Sequence, residues 1–152
     1  MQKSILLLFS LFIFLTSCNE TKKTEETSTN TKVVEENTEY TIHQKIEKLE
    51  AQEFSNKMTE LRVYNIVDVR TPKEFDQASI PRAKNIDINA SNFEEVLDKL
   101  ERIKPLLIYC KSGGRSAKAV EKAKEMGFER IIELDGGMES WKAAKMETAH
   151  AI

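Results

Sequence analysis

PLLIYCKSGGRSAKA, residues 105–119, predicts a strand, a short glycine-containing loop and a helix in immediate succession. The apolar LLIY run follows a proline and is typical of a strand that is covered on both faces in a parallel sheet. From Ser116 onward, small and apolar residues recur at helical spacing until Gly127, which is a typical helix stop. Between strand and helix, Gly113 and Gly114 tolerate positive φ and can bring several backbone N–H groups together. Such a turn at a helix N-terminus is expected to hold an anion.

Cys110 ends the predicted strand and stands at the rim of this turn. The helix end, the converging amides and the cations of Lys111 and Arg115 should favour its thiolate, so we expect a lowered thiol pKa and a nucleophilic sulfur. The two histidines, His43 and His150, lie near the ends of the predicted domain, so a papain-like cysteine–histidine pair is not expected. The alternative is an ordinary buried cysteine, but two glycines and two cations around the sulfur favour the reactive thiol.

Three stretches of the chain resemble signatures of the rhodanese family of sulfurtransferases. The loop CKSGGR, residues 110–115, is similar to the active-site loop of single-domain members, which begins with cysteine and closes with arginine. The other two stretches are IVDVR at 66–70, followed by Glu74-Phe75, and LDGG at 134–137, followed by Trp141. They occur in the expected order and together cover roughly residues 45–145.

The resemblance implies a rhodanese-like α/β domain over residues 41–152, with a central parallel sheet of about five strands flanked by helices on both faces. The alternation of short apolar strands with helices favours the same class, with ligands at the carboxyl ends of the strands. The sequence predicts strands at 46–49, 63–69, 84–88, 105–109 and 130–134, and helices at 51–59, 72–77, 91–103, from about 115 to 126 and from 138 to 144 or beyond.

Two helix starts carry capping signals. Thr71 is expected to cap the short helix whose first position is Pro72. Ser91 is expected to cap the helix that follows, with Glu94 completing a capping box. The apolar side chains of the predicted helix at 91–103, among them Ile103, should line one face of it.

Polar residues near the loop are expected to hold its rim. Asp68, Arg70 and Glu74 could contact substrate, but an ion-pair and helix-capping set is the favoured interpretation. The glycine pair at 136–137 should let the turn after the last strand pass close to the loop, with Trp141 packed beneath it.

The resemblance also implies a mechanism and a set of site residues. The Cys110 thiolate would take the outer sulfur of a small anion, thiosulfate or a persulfide donor, and the resulting persulfide would pass that sulfur to a thiol or cyanide. The preorganised amides would stabilise the persulfide anion. No cofactor is expected. The residues implied to bind substrate are those of the loop: Lys111, Ser112, Gly113, Gly114, Arg115 and Ser116.

Two alternatives use the same cysteine. Phosphatases and arsenate reductases of the cysteine–arginine type have five residues between the two, whereas four separate Cys110 from Arg115, so this chemistry is disfavoured. The second alternative is a membrane-tethered persulfide carrier or redox-sensing binding module that turns over little free substrate. The sequence does not separate this alternative from an enzyme.

One segment departs from the family pattern. Where many members read GHIPGA, residues 78–83 read ASIPRA. The fold expectation stands, but Arg82 is expected to add a cation near the entrance to the site, which affects substrate choice.

The N-terminal segment predicts export and lipidation. Residues 1–17 combine Lys3 with a short apolar run and resemble a bacterial lipoprotein signal peptide, and Cys18 is the expected lipidation site. Residues 18–40 are polar and predict a disordered tether. These features predict an envelope protein on the periplasmic side, held to the membrane only by its lipid anchor. Asn19 slightly favours the outer membrane.

The composition argues against nucleic-acid binding and metal binding. The net charge is −2, without a basic patch interleaved with aromatic residues, so nucleic acid is not an expected partner. No histidine, cysteine and carboxylate cluster has metal-ligand spacing. We expect a monomer in which lipidation of Cys18 leaves Cys110 as the one free thiol.

Overall fold

The structure, a computed structural model, describes residues 44–149. The predicted signal peptide at 1–17, Cys18, the tether at 18–40 and both histidines lie outside the described residues. The strands are β1 (Lys45–Leu49), β2 (Asn65–Asp68), β3 (Lys84–Asn85), β4 (Leu106–Tyr109) and β5 (Arg130–Leu134). The helices are α1 (Ala51–Glu60), α2 (Pro72–Gln77), α3 (Phe93–Asp98), α4 (Gly114–Glu125) and α5 (Gly137–Ala143).

The five strands form one sheet in the order β1-β5-β4-β2-β3, and every neighbouring pair is parallel. β4 is the central strand, and all four of its side chains are buried. This coverage on both faces is what the LLIY run predicted. The expected α/β fold, a five-stranded parallel sheet with helices on both faces, is confirmed.

Each face of the sheet carries its own apolar cluster. The α3–α4 cluster joins the helices α3 and α4 to residues of the sheet that include Leu106 and Ile108, and to Cys110 just after β4. The α1–α5 cluster lies on the opposite face and joins α1 and α5 to Leu107 and Tyr109, among others. Successive β4 side chains therefore alternate between the two clusters, as the pleat of a strand requires.

The capping prediction is confirmed for α2. Thr71 is its N-cap, and Pro72 occupies the first turn. The Glu74 amide donates to Thr71 Oγ1 at 3.4 Å, and Glu74 Oε2 accepts the Thr71 amide at 3.1 Å. This reciprocal pair satisfies two N–H groups that the helix itself leaves free.

The prediction for α3 is wrong in its length and its cap. The helix spans Phe93–Asp98, and its N-cap is Asn92, without a side-chain hydrogen bond. Glu94 forms an ion pair with Lys122 of α4 instead of completing a capping box. The predicted face ends early as well, since Ile103 is 71% exposed.

The strand predictions are correct in place but too long for β2 and β3. Val63, which was expected in β2, is 58% exposed. β3 pairs with β2 over two residues only. Within residues 44–149, no helix is both long and apolar enough to cross a bilayer.

Candidate active site

Cys110 immediately follows β4, so its thiol stands at the carboxyl edge of the central strand. Ligands of open parallel sheets bind at this edge. Gly113 has φ +104° and is the N-cap of α4, whose first residue is Gly114. The positive φ that the sequence predicted for the glycine pair is therefore used at Gly113 alone.

The sulfur of Cys110 is enclosed by polar hydrogens. The residue is 1% exposed, the Gly113 amide donates to Sγ at 3.2 Å, and Sγ lies 3.4 Å from Ser116 Oγ. Burial opposes ionisation of the thiol. Hydrogen bonds from the Ser116 hydroxyl and from the amides of Ser116, Gly113 and Ser112 outweigh it, so the pKa of Cys110 is lowered. The predicted direction is confirmed, but the main cause is hydrogen bonding rather than the side-chain charges of Lys111 and Arg115.

The two cations of the loop are paired with carboxylates. Arg115 makes a two-pronged contact with Glu74, with both nitrogen-to-oxygen distances at 2.7 Å. Lys111 Nζ lies 3.6 Å from Oε1 of Glu139 in α5, and both side chains are exposed. The contact with Arg115 lowers the pKa of Glu74 to about 2, with the Thr71 hydrogen bonds assisting and burial opposing. The fork–fork geometry fixes the direction of the guanidinium as well as its charge.

Asp68 and Arg70 form a buried ion pair at the end of β2. Arg70 Nη2 donates to Asp68 Oδ2 at 2.6 Å and to the Ala78 carbonyl, also at 2.6 Å. The pair thereby ties the end of β2 to segment 78–83. Together with the contacts of Glu74, it confirms the ion-pair and capping interpretation of these residues.

The start of α5 passes directly against the loop. The Met138 amide donates to the Cys110 carbonyl at 2.8 Å, and the Glu139 amide donates to the Lys111 carbonyl at 3.0 Å. A Cβ at Gly137 would lie 2.5 Å from the Cys110 carbonyl oxygen, so only glycine allows this approach. The predicted close passage of the glycine pair is confirmed.

Trp141 packs edge-on against Phe54, with ring centroids 6.3 Å apart, in the α1–α5 cluster, which also contains Tyr109 and Met138. These contacts do not test its expected packing beneath the loop, which stays a prediction. The expectation for Arg82 is wrong. Arg82 does not extend to the entrance, because its guanidinium lies 4.7 Å over the Tyr64 ring and donates to the Tyr64 hydroxyl at 3.0 Å.

A pocket of about 340 Å³ lies beside the loop. Its lining mixes charges of both signs with one thioether, and Lys111 is the loop residue that contributes to it. The lining residues are Arg70, Glu74, Gln77, Lys111, Met138, Glu139 and Lys142. Among the described residues, no group of histidine, cysteine and carboxylate side chains could hold a metal ion.

Glu133 is the site residue that sequence reasoning missed. It lies near the end of β5, is 7% exposed, and accepts a hydrogen bond from Ser116 Oγ at 2.7 Å. Ser116 was expected to bind substrate, but its side chain is buried and its hydroxyl also lies 2.9 Å from the Gly113 carbonyl. The available signal was a carboxylate that interrupts an otherwise apolar buried strand, since such groups are rare without a partner.

Comparisons with known proteins agree on one family. The family described as "Rhodanese-like domain" matches residues 50–144. The thiosulfate sulfurtransferase GlpE of Coxiella burnetii is 31% identical over 102 residues, which cover 67% of this chain and 90% of GlpE. The crystal structure of a rhodanese-related protein from Thermoplasma volcanium is 31% identical, with a TM-score of 0.60 over 68% of this chain and 97% of that one.

A longer relative matches through one part only. The probable adenylyltransferase/sulfurtransferase MoeZ of Mycobacterium tuberculosis is 38% identical over 76 residues, or 50% of this chain. The matched region spans 19% of MoeZ.

Proposed function

Because the chain belongs to the rhodanese-like domain family, we propose that it is a sulfurtransferase that moves sulfane sulfur through a persulfide on Cys110. The donor is a small sulfur anion such as thiosulfate, and the acceptor is a thiol or cyanide. The observation that carries the proposal is the environment of the Cys110 sulfur, which lies within hydrogen-bonding distance of the Gly113 amide and has a lowered pKa. A thiolate is the nucleophilic form of cysteine, and among the described residues this loop favours it through hydrogen bonds from Ser112, Gly113 and Ser116.

The reaction proceeds as two displacements at sulfur. The Cys110 thiolate attacks the outer sulfur of thiosulfate, a new S–S bond forms, and sulfite leaves with the electron pair of the broken bond. The acceptor then attacks the outer sulfur of the persulfide, and the electron pair returns to Cys110. The negative charge shifts by one atom in the first displacement, so N–H donors fixed by the loop can follow it without rearrangement.

The residues of the loop have separate roles in this scheme. Ser112, Gly113 and Ser116 supply the donors that lower the pKa of the thiol. Gly114 opens α4, whose N-terminus favours a bound anion. Lys111 lines the adjoining pocket, and Arg115 is held by Glu74 at the side of the loop.

Sulfur transfer from thiosulfate to cyanide tests the proposal. The full chain carrying Cys18→Ser has Cys110 as its one thiol, because the sequence contains two cysteines. After exposure to thiosulfate and removal of excess donor, its intact mass should rise by one sulfur atom, and thiocyanate should form over many turnovers. Cys110→Ser in the same background should abolish both. Absence of the mass gain in the parent protein would refute persulfide chemistry at Cys110.

The second candidate is a persulfide carrier or redox-sensing module with little turnover of free substrate. The pairing of Arg115 with Glu74 and of Lys111 with Glu139 favours it, since paired cations attract a free dianion less strongly. The same experiment distinguishes the two. A mass gain that cyanide removes only once, without steady thiocyanate production, supports the carrier.

The proposal extends to location. Cys18 carries a lipid that anchors a monomer on the periplasmic side, with the outer membrane favoured. Labelled fatty acid should be incorporated into the wild-type chain in a bacterial host and not into Cys18→Ser, whereas equal labelling of both contradicts this anchor.

A further inference from the structure

Glu133 is a buried carboxylate with an unusual partner. Of the described residues, Ser116 is the one that gives its side chain a hydrogen bond, at 2.7 Å. Lys48, the β1 neighbour of Glu133 in the sheet register, interacts with it electrostatically, although the Lys48 ammonium is paired with Asp135 at 3.0 Å. The β4 neighbour of Glu133 is Ile108. A buried carboxylate is costly unless its partners compensate it, so the contact with Ser116 needs an explanation.

The same serine hydroxyl contacts the sulfur. Ser116 Oγ lies 3.4 Å from Cys110 Sγ, 2.9 Å from the Gly113 carbonyl oxygen and 2.7 Å from Glu133 Oε1. A hydroxyl has one proton to donate. While Glu133 is ionised and holds that proton, Ser116 can only accept a hydrogen bond from the Cys110 thiol. In this arrangement the hydroxyl does not support the thiolate, and it lowers the pKa of Cys110 only in the arrangement in which its proton points to Sγ.

Transfer of one proton reverses both hydrogen bonds. If the thiol proton passes to Ser116 Oγ while Ser116 passes its own proton to Glu133 Oε1, Ser116 donates to the new thiolate. The neutral carboxyl of Glu133 then donates to Ser116. Every polar atom keeps a partner, and the total charge of the buried group does not change, so no additional charge is desolvated.

We propose that Glu133 is the proton acceptor of the nucleophile, and that Ser116 relays the proton from Cys110 Sγ to Glu133 Oε1. When an acceptor later removes the persulfide sulfur and Cys110 leaves as a thiolate, the same path returns the proton. The inference rests on the proposed function in taking Cys110 as the nucleophile.

Charged groups face Cys110 and Glu133 from α4 and from β1. Arg115 faces the thiolate from α4 and is itself bound to Glu74 of α2, and Lys48 faces Glu133 from β1. Lys111 of the loop is paired with Glu139 of α5 at the exposed surface. The contacts that join the sulfur to Glu133 are those of Ser116 Oγ, at 3.4 Å and 2.7 Å.

The test is an ultraviolet titration of the Cys110 thiolate. The full chain carrying Cys18→Ser is titrated, and the absorbance of the same chain with Cys110→Ser is subtracted at each pH. Linked groups release their protons in two steps that belong to the pair. We expect two steps in the thiolate signal of the parent protein and a single step in Glu133→Gln. Ser116→Ala should also give one step, moved to higher pH because the thiolate has lost a donor.

Glu74→Gln is the matched control, since it removes a carboxylate that contacts Arg115 rather than Ser116, and it should keep both steps. A single step in the parent protein, or two steps retained in Glu133→Gln, would overturn the relay. A single step in the parent protein would overturn the relay even if a variant fails to fold. The measurement needs no sulfur donor, so the relay and the proposed sulfur transfer can fail independently.

Discussion

At the active loop, the thiolate is stabilised mainly by groups whose strength does not depend on free charge. The Gly113 amide and the Ser116 hydroxyl lie within hydrogen-bonding distance of Sγ. Arg115 and Lys111, in contrast, are paired with carboxylates of other helices. Buried hydrogen bonds are screened by salt much less than exposed charges, so the reactivity of Cys110 should vary little with ionic strength.

The Glu74–Arg115 pair gives stability that depends on pH. The pKa of Glu74 is about 2 in the folded protein against 4.5 for the free group, so ionised Glu74 favours the folded state. Its contribution is fully present above about pH 4.5 and is lost as the pH falls towards 2. For this partly buried pair, Glu74→Gln should lower the free energy of unfolding by about 1–3 kcal/mol at neutral pH. Urea unfolding of both proteins at several pH values measures the difference.

Glu139→Gln is the control for that series. Glu139 is 60% exposed in its pair with Lys111, and such pairs contribute at most about 1 kcal/mol. The free energy of unfolding of the Glu139→Gln protein should therefore stay close to the wild-type value at every pH. A Glu74→Gln deficit that persists unchanged at the lowest pH would show that the loss does not come from ionised Glu74.

At the scale of elements, two helix N-termini meet at Cys110. The start of α4 supplies the Gly113 N–H that points to the sulfur. The start of α5 directs its first N–H groups to the carbonyl oxygens of Cys110 and Lys111. The loop is thus held from two sides, and this leaves the amides near the sulfur little freedom to turn away.

Gly137→Ala should break this arrangement. The new Cβ would meet the Cys110 carbonyl oxygen at 2.5 Å, and φ is +57° at this position. Left-handed backbone strain costs about 1–2 kcal/mol for alanine, and displacement of the loop adds to it. We expect a loss of at least about 2 kcal/mol in the free energy of unfolding and a rise in the pKa of the Cys110 thiol. Urea unfolding and thiolate absorbance measure the two effects.

Gly114→Ala is the matched control on α4. A Cβ at Gly114 meets nothing within 4 Å, and the residue lies in the helix. Alanine there should be neutral or stabilising by up to about 1 kcal/mol, since it reduces the freedom of the unfolded chain. If both alanine variants behave alike, the close approach of α5 is not what fixes the loop.

Elements were predictable where their signals lie next to each other in the chain. Thr71, Pro72 and Glu74 specify the start of α2 within four positions, and the structure has this cap. Ser91 and Glu94 carry the same pattern, but Lys122, 28 residues away, takes the Glu94 side chain. A pattern read along the chain does not contain such a competitor.

The residues of the site also divide into those that the sequence predicts and those that it does not. Cys110 and its loop could be found because strand, glycines and helix are contiguous in the sequence. The contacts of Glu133 with Ser116, of Arg82 with Tyr64 and of Trp141 with Phe54 join distant segments. Which polar or aromatic partner each one meets depends on how the sheet places them, and periodicity does not specify that.

For the whole molecule, the sheet order puts the nucleophile in the middle. β4 lies between β5 and β2, so Cys110 has the ends of both neighbours beside it. Asp68 at the end of β2 and Glu133 near the end of β5 are thereby brought to the same edge from 65 residues apart. A parallel sheet collects polar groups in this way, because all its strands end on one side.

Residues beyond the region that the family comparison matches make contacts with the rest of the domain. That match ends at residue 144, yet Ala149 and Ser79 exchange two backbone hydrogen bonds of 2.8 Å. Trp141 Nε1 donates to the Glu147 carbonyl at 2.7 Å. Because Ser79 is buried, removal of its partner leaves an amide and a carbonyl without a hydrogen bond.

A chain that ends at residue 144 should therefore be less stable than one that ends at 149. Each buried polar group left unpaired costs about 1–3 kcal/mol, so the free energy of unfolding should fall by at least about 2 kcal/mol. Urea unfolding of the two chains at neutral pH measures this, and the shorter chain should keep its lowered Cys110 pKa, since its loop contacts are intact. Equal urea midpoints would mean that water satisfies Ser79 once residues 145–149 are gone, and that the fold ends with α5.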